Sequence, residues 1–266
     1  MCAVAFALLL AVAYGLPLGA HADATALDGL IALRGPIATP IATAAAHLAD
    51  PLPVAGILAG LVALGWLFGR RRQAHAAAAL VVASIVTTET LKVVLAHPRV
   101  QELVSSAHIG AVAFPSGHAT AALALALAAV LVVPRGIRAV AAAVAAGYAI
   151  AVCTSILVLA WHYPSDVFGG MLVASFYFCA AVTVLHALDA AGSRTAAGRP
   201  RSTAVGPPAG LREVLLVAVA LVGVAVVARA DDLARFASDH TLATVTALAV
   251  AAASSALIAA ASLLEP

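Results

Sequence analysis

The chain has 266 residues, 64% of them hydrophobic and 10% charged, with a formal net charge of +2 at pH 7 and a mean hydropathy of +1.09. That balance excludes a soluble globular domain, and so small a charge, with its arginines in short clusters, excludes a nucleic-acid-binding face. Cys2, Cys153 and Cys179 fall within or beside apolar runs without CxxC or Cys/His zinc spacing, so neither a disulfide framework nor a zinc site is supported.

A membrane span needs about 20 predominantly apolar residues, and such runs follow one another along the chain. Met1 to Leu18 reads as a retained first span, although Ala20-His21-Ala22 has the small-x-small form of a signal-peptidase site and a cleaved leader is the alternative. Residues 23–52 are mixed, and Leu27, Leu30, Ile31 and Leu33 recur at helical spacing, as in a short interfacial helix. Spans two to six are expected over Val54 to Phe68, Ala74 to Leu95, His118 to Val133, Ala139 to Trp161 and Val167 to His186. Residues 189–212 carry Gly, Pro, Ser and Arg without periodicity and read as a linker. Two more spans, Glu213 to Ala228 and Thr241 to Leu264, flank the charged segment Arg229 to His240.

With the N-terminus inside, the inner loops hold Arg70, Arg71, Arg72, Arg135, Arg138, Arg194, Arg199, Arg201 and Arg212, nine of the 14 Lys and Arg residues. This orientation satisfies the positive-inside rule. It brings three polar stretches together at the outer face, contributing Lys92 with Arg99, Ser116 with His118, and His162 with Asp166. Ionisable groups at membrane depth are costly, so their convergence points to a function.

Two cations aimed at one pocket suit an anion such as phosphate. Pro115-Ser116-Gly117-His118 opens an apolar run, where a helix start offers unpaired N–H donors and partial positive charge; Gly117 permits close backbone approach. Two histidines can divide nucleophilic attack and leaving-group protonation, with Asp166 orienting His162 if the turn between them closes helically. Each residue also has a structural reading. Ser116 and Asp166 would cap helices, Lys92 would snorkel and pair with Glu89, and His162 would join Trp161 and Tyr163 in an interfacial aromatic belt. His47, His75, His97 and His108 read as ordinary interfacial histidines. A metal site built from His97, His108, His118 and His162 lacks any pair at i, i+4 spacing on one helix.

The pieces resemble, in order, the three-part signature of the type 2 phosphatidic acid phosphatases. Lys92 to Arg99 is similar to the first part, with Val100 where a proline follows and His97 where an extra arginine often lies. Pro115-Ser116-Gly117-His118 is the complete second part. Ser155 and His162 match the third, but Ile156 stands at its arginine position; Pro164-Ser165-Asp166 and Gly169-Gly170 follow as in the family. The resemblance covers about residues 1–187 and implies an all-α, polytopic transmembrane bundle with a six-helix core and an outer-face active site; the linker, cytoplasmic in this orientation over 188–212, and the two further spans within 213–266 lie outside it.

It also implies a metal-independent lipid phosphatase of the plasma membrane, without cofactor, acting on a lipid phosphate or diphosphate through a phosphohistidine. In that scheme His162 is the nucleophile, Asp166 its orienter and His118 the general acid, while Lys92, Arg99, Ser116 and Gly117 bind the phosphoryl oxygens. The expected partners are the lipid substrate and the bilayer, not nucleic acid; a homo-oligomer is compatible with the sequence. Ile156 motivates an alternative, a weakened or inactive homologue that binds or translocates lipid phosphates. His97 and His108 are candidate substitutes for the absent arginine.

Overall fold

The computed structural model describes residues 1–97, 109–193 and 230–264, and the regular secondary structure among them is helical throughout. In chain order the helices are α1 (Cys2–Gly15), α2 (Pro17–Ile31), α3 (Ala38–His47), α4 (Pro51–Leu67), α5 (Arg71–Val94), α6 (Gly117–Val132), α7 (Arg135–Val158), α8 (Pro164–Ser193), α9 (Ala230–Asp239) and α10 (Thr241–Leu264). Four of them, α5, α7, α8 and α10, are long and apolar enough to cross a membrane, and the number reaches six if each of the bent pairs α1–α2 and α3–α4 makes one span. The chain is a multi-pass membrane protein by the length and composition of its helices.

The expected first span, Met1 to Leu18, is divided. Pro17 has no N–H to continue α1 and holds Leu16 extended, at φ −116° and ψ 122°, so α2 leaves at 89° to α1. The amphipathic stretch around Leu27 and Leu30 belongs to α2, and both side chains are buried. A helix not anticipated in the mixed region, α3, precedes α4 at a 57° bend. Helix α5 begins three residues earlier than its apolar run suggests, and its first residue, Arg71, places its guanidinium 4.9 Å over the Trp66 ring at the end of α4. Helix α8 runs on to Ser193, so the residues expected to begin the linker are still helical. The remainder of that linker and the expected span Glu213 to Ala228 lie outside the described residues.

Helix α6 is the centre of the bundle. Nearly every side chain from Ala119 to Val132 is buried against α4, α5, α7, α8 and α10, as expected of a helix apolar on every face. Its 16 residues span only about 24 Å, less than a bilayer's hydrocarbon core of about 30 Å, and the surrounding helices shield it from lipid. Hydroxyls join three of the helices: Thr120 on α6 donates to the Ser116 and Gly170 carbonyls at 2.8 and 3.3 Å and shares a 2.9 Å hydrogen bond with Thr88 on α5. The last helix enters the same core, where Ala243, Val250, Ile258 and Ala261 are buried among α2, α6 and α7.

Candidate active site

Residues 114–118 are fixed by α8. A β-carbon on Gly169 would stand 2.7 Å from the Phe114 ring, and one on Gly170 would stand 2.6 Å from the Ser116 carbonyl oxygen. Only a side chain of hydrogen at each position lets the loop lie against the helix. The Ser116 N–H donates to the Asp166 carbonyl at 2.9 Å, and the Ser116 hydroxyl accepts from Ala119 N–H at 3.3 Å, capping α6. The start of α6 is thereby held next to the start of α8.

The opposite end of this junction is the turn from α7 to α8. Helix α7 closes with Trp161 N–H donating to the Ile156 carbonyl and Ala160 N–H to the Leu157 carbonyl, both at 2.9 Å, with Ala160 at φ +53°. This is a left-handed helix end of the kind usually occupied by glycine. It turns the chain so that His162 faces Asp166: His162 Nδ1 lies 3.5 Å from Asp166 Oδ2. The pair is close enough for charge interaction but is not aligned as a hydrogen bond, and Nδ1 is sealed from solvent without a hydrogen-bond partner. Asp166 Oδ2 accepts instead from Tyr163 N–H at 2.9 Å, so the carboxylate caps α8 while standing beside the imidazole. Ser165 is held from below, its N–H and hydroxyl both donating to Asp23 of α2, at 2.9 and 2.6 Å.

His118, in the first turn of α6, is the link between the two sides. Its ring centroid lies 6.3 Å from that of His162 and 5.5 Å from that of Trp161. On the α5 side Lys92 Nζ donates to Glu89 Oε1 at 2.7 Å, and a β-carbon on Gly117 would meet Lys92 Nζ at 2.9 Å and Glu89 Oε1 at 3.1 Å. The ammonium thus rests against the Gly117 backbone. The structure brings together Lys92, Ser116, Gly117, His118, His162 and Asp166; Arg99 and His108 lie outside the described residues.

A cavity of about 510 Å³ opens from this cluster. Lys92, Glu89 and His118 line its polar end, while Val54, Leu58 and Ile85 are among the apolar side chains between α4 and α5. Ile156 takes no part: its side chain is 0% exposed and belongs to the apolar core. His97 packs its ring edge-on to Tyr14 at 5.5 Å. Among the described residues no three His, Cys, Asp or Glu side chains converge in a way that could hold a metal ion.

Asp50, given no role in the sequence, and His47, read there as an ordinary interfacial histidine, belong to the cluster. Asp50, in the turn between α3 and α4, accepts from His47 Nδ1 at 2.7 Å and lies 3.2 Å from His118 Nε2. The hydrogen bond from His47 is the main cause holding the Asp50 carboxyl below the usual range, with His118 adding to it, so it stays anionic. Nothing in local spacing signals this contact, because Asp50 and His118 are 68 residues apart.

Residues 73–190 match the model of the PAP2 superfamily. Comparison with curated proteins and with solved structures gave no match.

Proposed function

Because residues 73–190 belong to the PAP2 superfamily, a family of phosphatases, we propose that the chain hydrolyses a lipid phosphate or diphosphate at the outer face of the plasma membrane. The observation that carries this reading is the pair of imidazoles 6.3 Å apart on different elements, one beside a buried carboxylate and the other following the helix start against which Lys92 rests. A polar end opening into an apolar cavity between α4 and α5 supports a substrate with a phosphate headgroup and a hydrocarbon chain.

In the proposed reaction His162 attacks the terminal phosphorus, a P–N bond forms and the P–O bond to the leaving group breaks. The leaving group is the lipid alcohol of a monophosphate or the lipid phosphate of a diphosphate. His118 gives its proton to the leaving oxygen. Water then attacks the phosphohistidine, His118 takes a proton from that water, and inorganic phosphate leaves with His162 restored. Asp166 stabilises the cation on His162 during the attack, and Lys92, Arg99 and the N–H groups at Gly117 neutralise the phosphoryl oxygens.

Purified protein in detergent is expected to release phosphate from phosphatidate, phosphatidylglycerol phosphate or a polyprenyl phosphate in the presence of EDTA, and His162→Ala to abolish release. The buried Ile156 favours one second reading, a homologue that binds or translocates lipid phosphate without turnover, since loss of one charge-stabilising donor costs about 3–4 kcal/mol in the transition state. Binding of these lipids with no release from any of them would establish that second reading and overturn the first.

A further inference from the structure

Asp50 occupies the N-cap position of α4, where an aspartate ordinarily accepts a hydrogen bond from the helix's first N–H groups. It makes no such bond. Its two oxygens face two imidazoles instead, Oδ2 towards His47 Nδ1 at 2.7 Å and Oδ1 towards His118 Nε2 at 3.2 Å. Trp161 packs edge-on to both rings, with centroids 5.7 Å from His47 and 5.5 Å from His118, and so borders the couple from the α7–α8 turn.

We propose that Asp50, anchored by His47, is a positioning residue for His118: it fixes the orientation of the ring and stabilises the cation formed when the ring carries the proton for the leaving group. This rests on the phosphatase reading above. The site then contains two carboxylate–histidine couples built from separate parts of the chain, Asp166 with His162 and Asp50 with His118. With Asp50 on Nε2, the other ring nitrogen, Nδ1, is the one presented to the leaving oxygen. The charged groups facing His118 are Asp50 from the α3–α4 turn, Lys92 from α5 and His162 from the α7–α8 turn, with Glu89 of α5 lining the same cavity. Burial is the largest influence on His118 and sets its pKa below the ordinary imidazole value, with a charged His162 and Lys92 acting in the same direction; Asp50 is the group that works against them and favours the imidazolium. His47 is exposed on its outer side, with 53% of its side chain accessible, so the couple reaches solvent at the rim of the cluster.

The test compares the full-length wild type with Asp50→Asn and Asp50→Glu, reading kcat, KM and the pH–rate profile on a phosphatidate or polyprenyl phosphate, and the titration of the His118 imidazole by NMR in detergent. For Asp50→Asn, kcat is expected to fall by about 10²-fold, the lower end of what positioned acid–base catalysis supplies, with KM changed little. The alkaline limb of the profile moves to lower pH, because without the carboxylate His118 gives up its proton earlier. Asp50→Glu restores a substantial part of kcat and returns the limb towards its wild-type position. A helix-capping role would lower thermal stability in both variants without moving the alkaline limb. An Asp50→Asn enzyme with unchanged kcat and limb, or an His118 titration that does not shift, overturns the assignment. If the wild type releases no phosphate while the His118 titration still shifts, the phosphatase reading fails and the Asp50–His118 coupling stands.

Discussion

Ile156 shows how a single position is decided by its surroundings. Read along the sequence it is a vacancy in a charge-stabilising set; in the fold it is a fully buried member of the apolar core. Restoring the arginine by Ile156→Arg would insert a cation into that core, and an uncompensated buried charge destabilises by roughly 3–5 kcal/mol. The expected outcome is a marked fall in the thermal midpoint in detergent and no gain in phosphate release, measured on the same preparation. A variant with unchanged midpoint and faster release would show that the side chain reaches the phosphate site after all. Gly170 is constrained as strongly from the opposite side. Gly170→Ala sets a methyl 2.6 Å from the Ser116 carbonyl oxygen and 2.9 Å from Thr120 Oγ1. Overpacking of this kind costs about 1–3 kcal/mol, and because the obstructing atom is backbone, the shift falls on residues 114–118. Release activity is expected to drop together with stability. Activity loss without destabilisation would mean that the loop moves freely.

At the scale of the elements, the site depends on how two helices end and begin. The left-handed Ala160 at the end of α7 costs about 1–2 kcal/mol relative to a residue free of a β-carbon. Part of that is offset by the greater unfolded-state entropy of glycine, about 0.4–1 kcal/mol. Ala160→Gly is therefore expected to raise stability by up to about 1 kcal/mol, seen as a higher thermal midpoint, with activity retained because the turn keeps its form. At the start of α8, Asp23→Ala removes the carboxylate that accepts from the buried Ser165 N–H and hydroxyl. A loss of about 1–3 kcal/mol follows, and α2 is released from α8, so limited proteolysis should open the chain near Pro17–Ile31 sooner than in the wild type.

For the whole molecule the informative feature is α10. Its sequence is rich in Ala, Ser and Thr, and in a bilayer such small residues promote close helix contact, since hydrophobic burial gives no net drive between apolar helices. Gly29 of α2 lies against this helix, where an added β-carbon would stand 2.7 Å from that of Ala243. Arg138 of α7, itself buried, reaches the Ser262 carbonyl at 3.5 Å. Removing residues 230–266 uncovers faces of α2, α6 and α7 and is expected to lower the thermal midpoint or prevent purification of a monodisperse species. A truncated protein as stable and active as the full chain would make α10 a peripheral attachment.

The order of apolar runs and the three polar stretches were readable in the chain because hydropathy and helix punctuation act over a few neighbouring residues. The same is true of Ser116 as the cap of α6 and of the Lys92–Glu89 pair, which needs only one helical turn. The sequence by itself determined a helical membrane protein, the extent of α10 and a short catalogue of residues able to handle phosphate. Tertiary structure alone decided the inclusion of α10 in the core, the burial of Ile156 and the meeting of Asp50 with His118. Those outcomes turn on which helices touch, and contacts between residues 68 positions apart leave no periodic trace in the sequence that makes them.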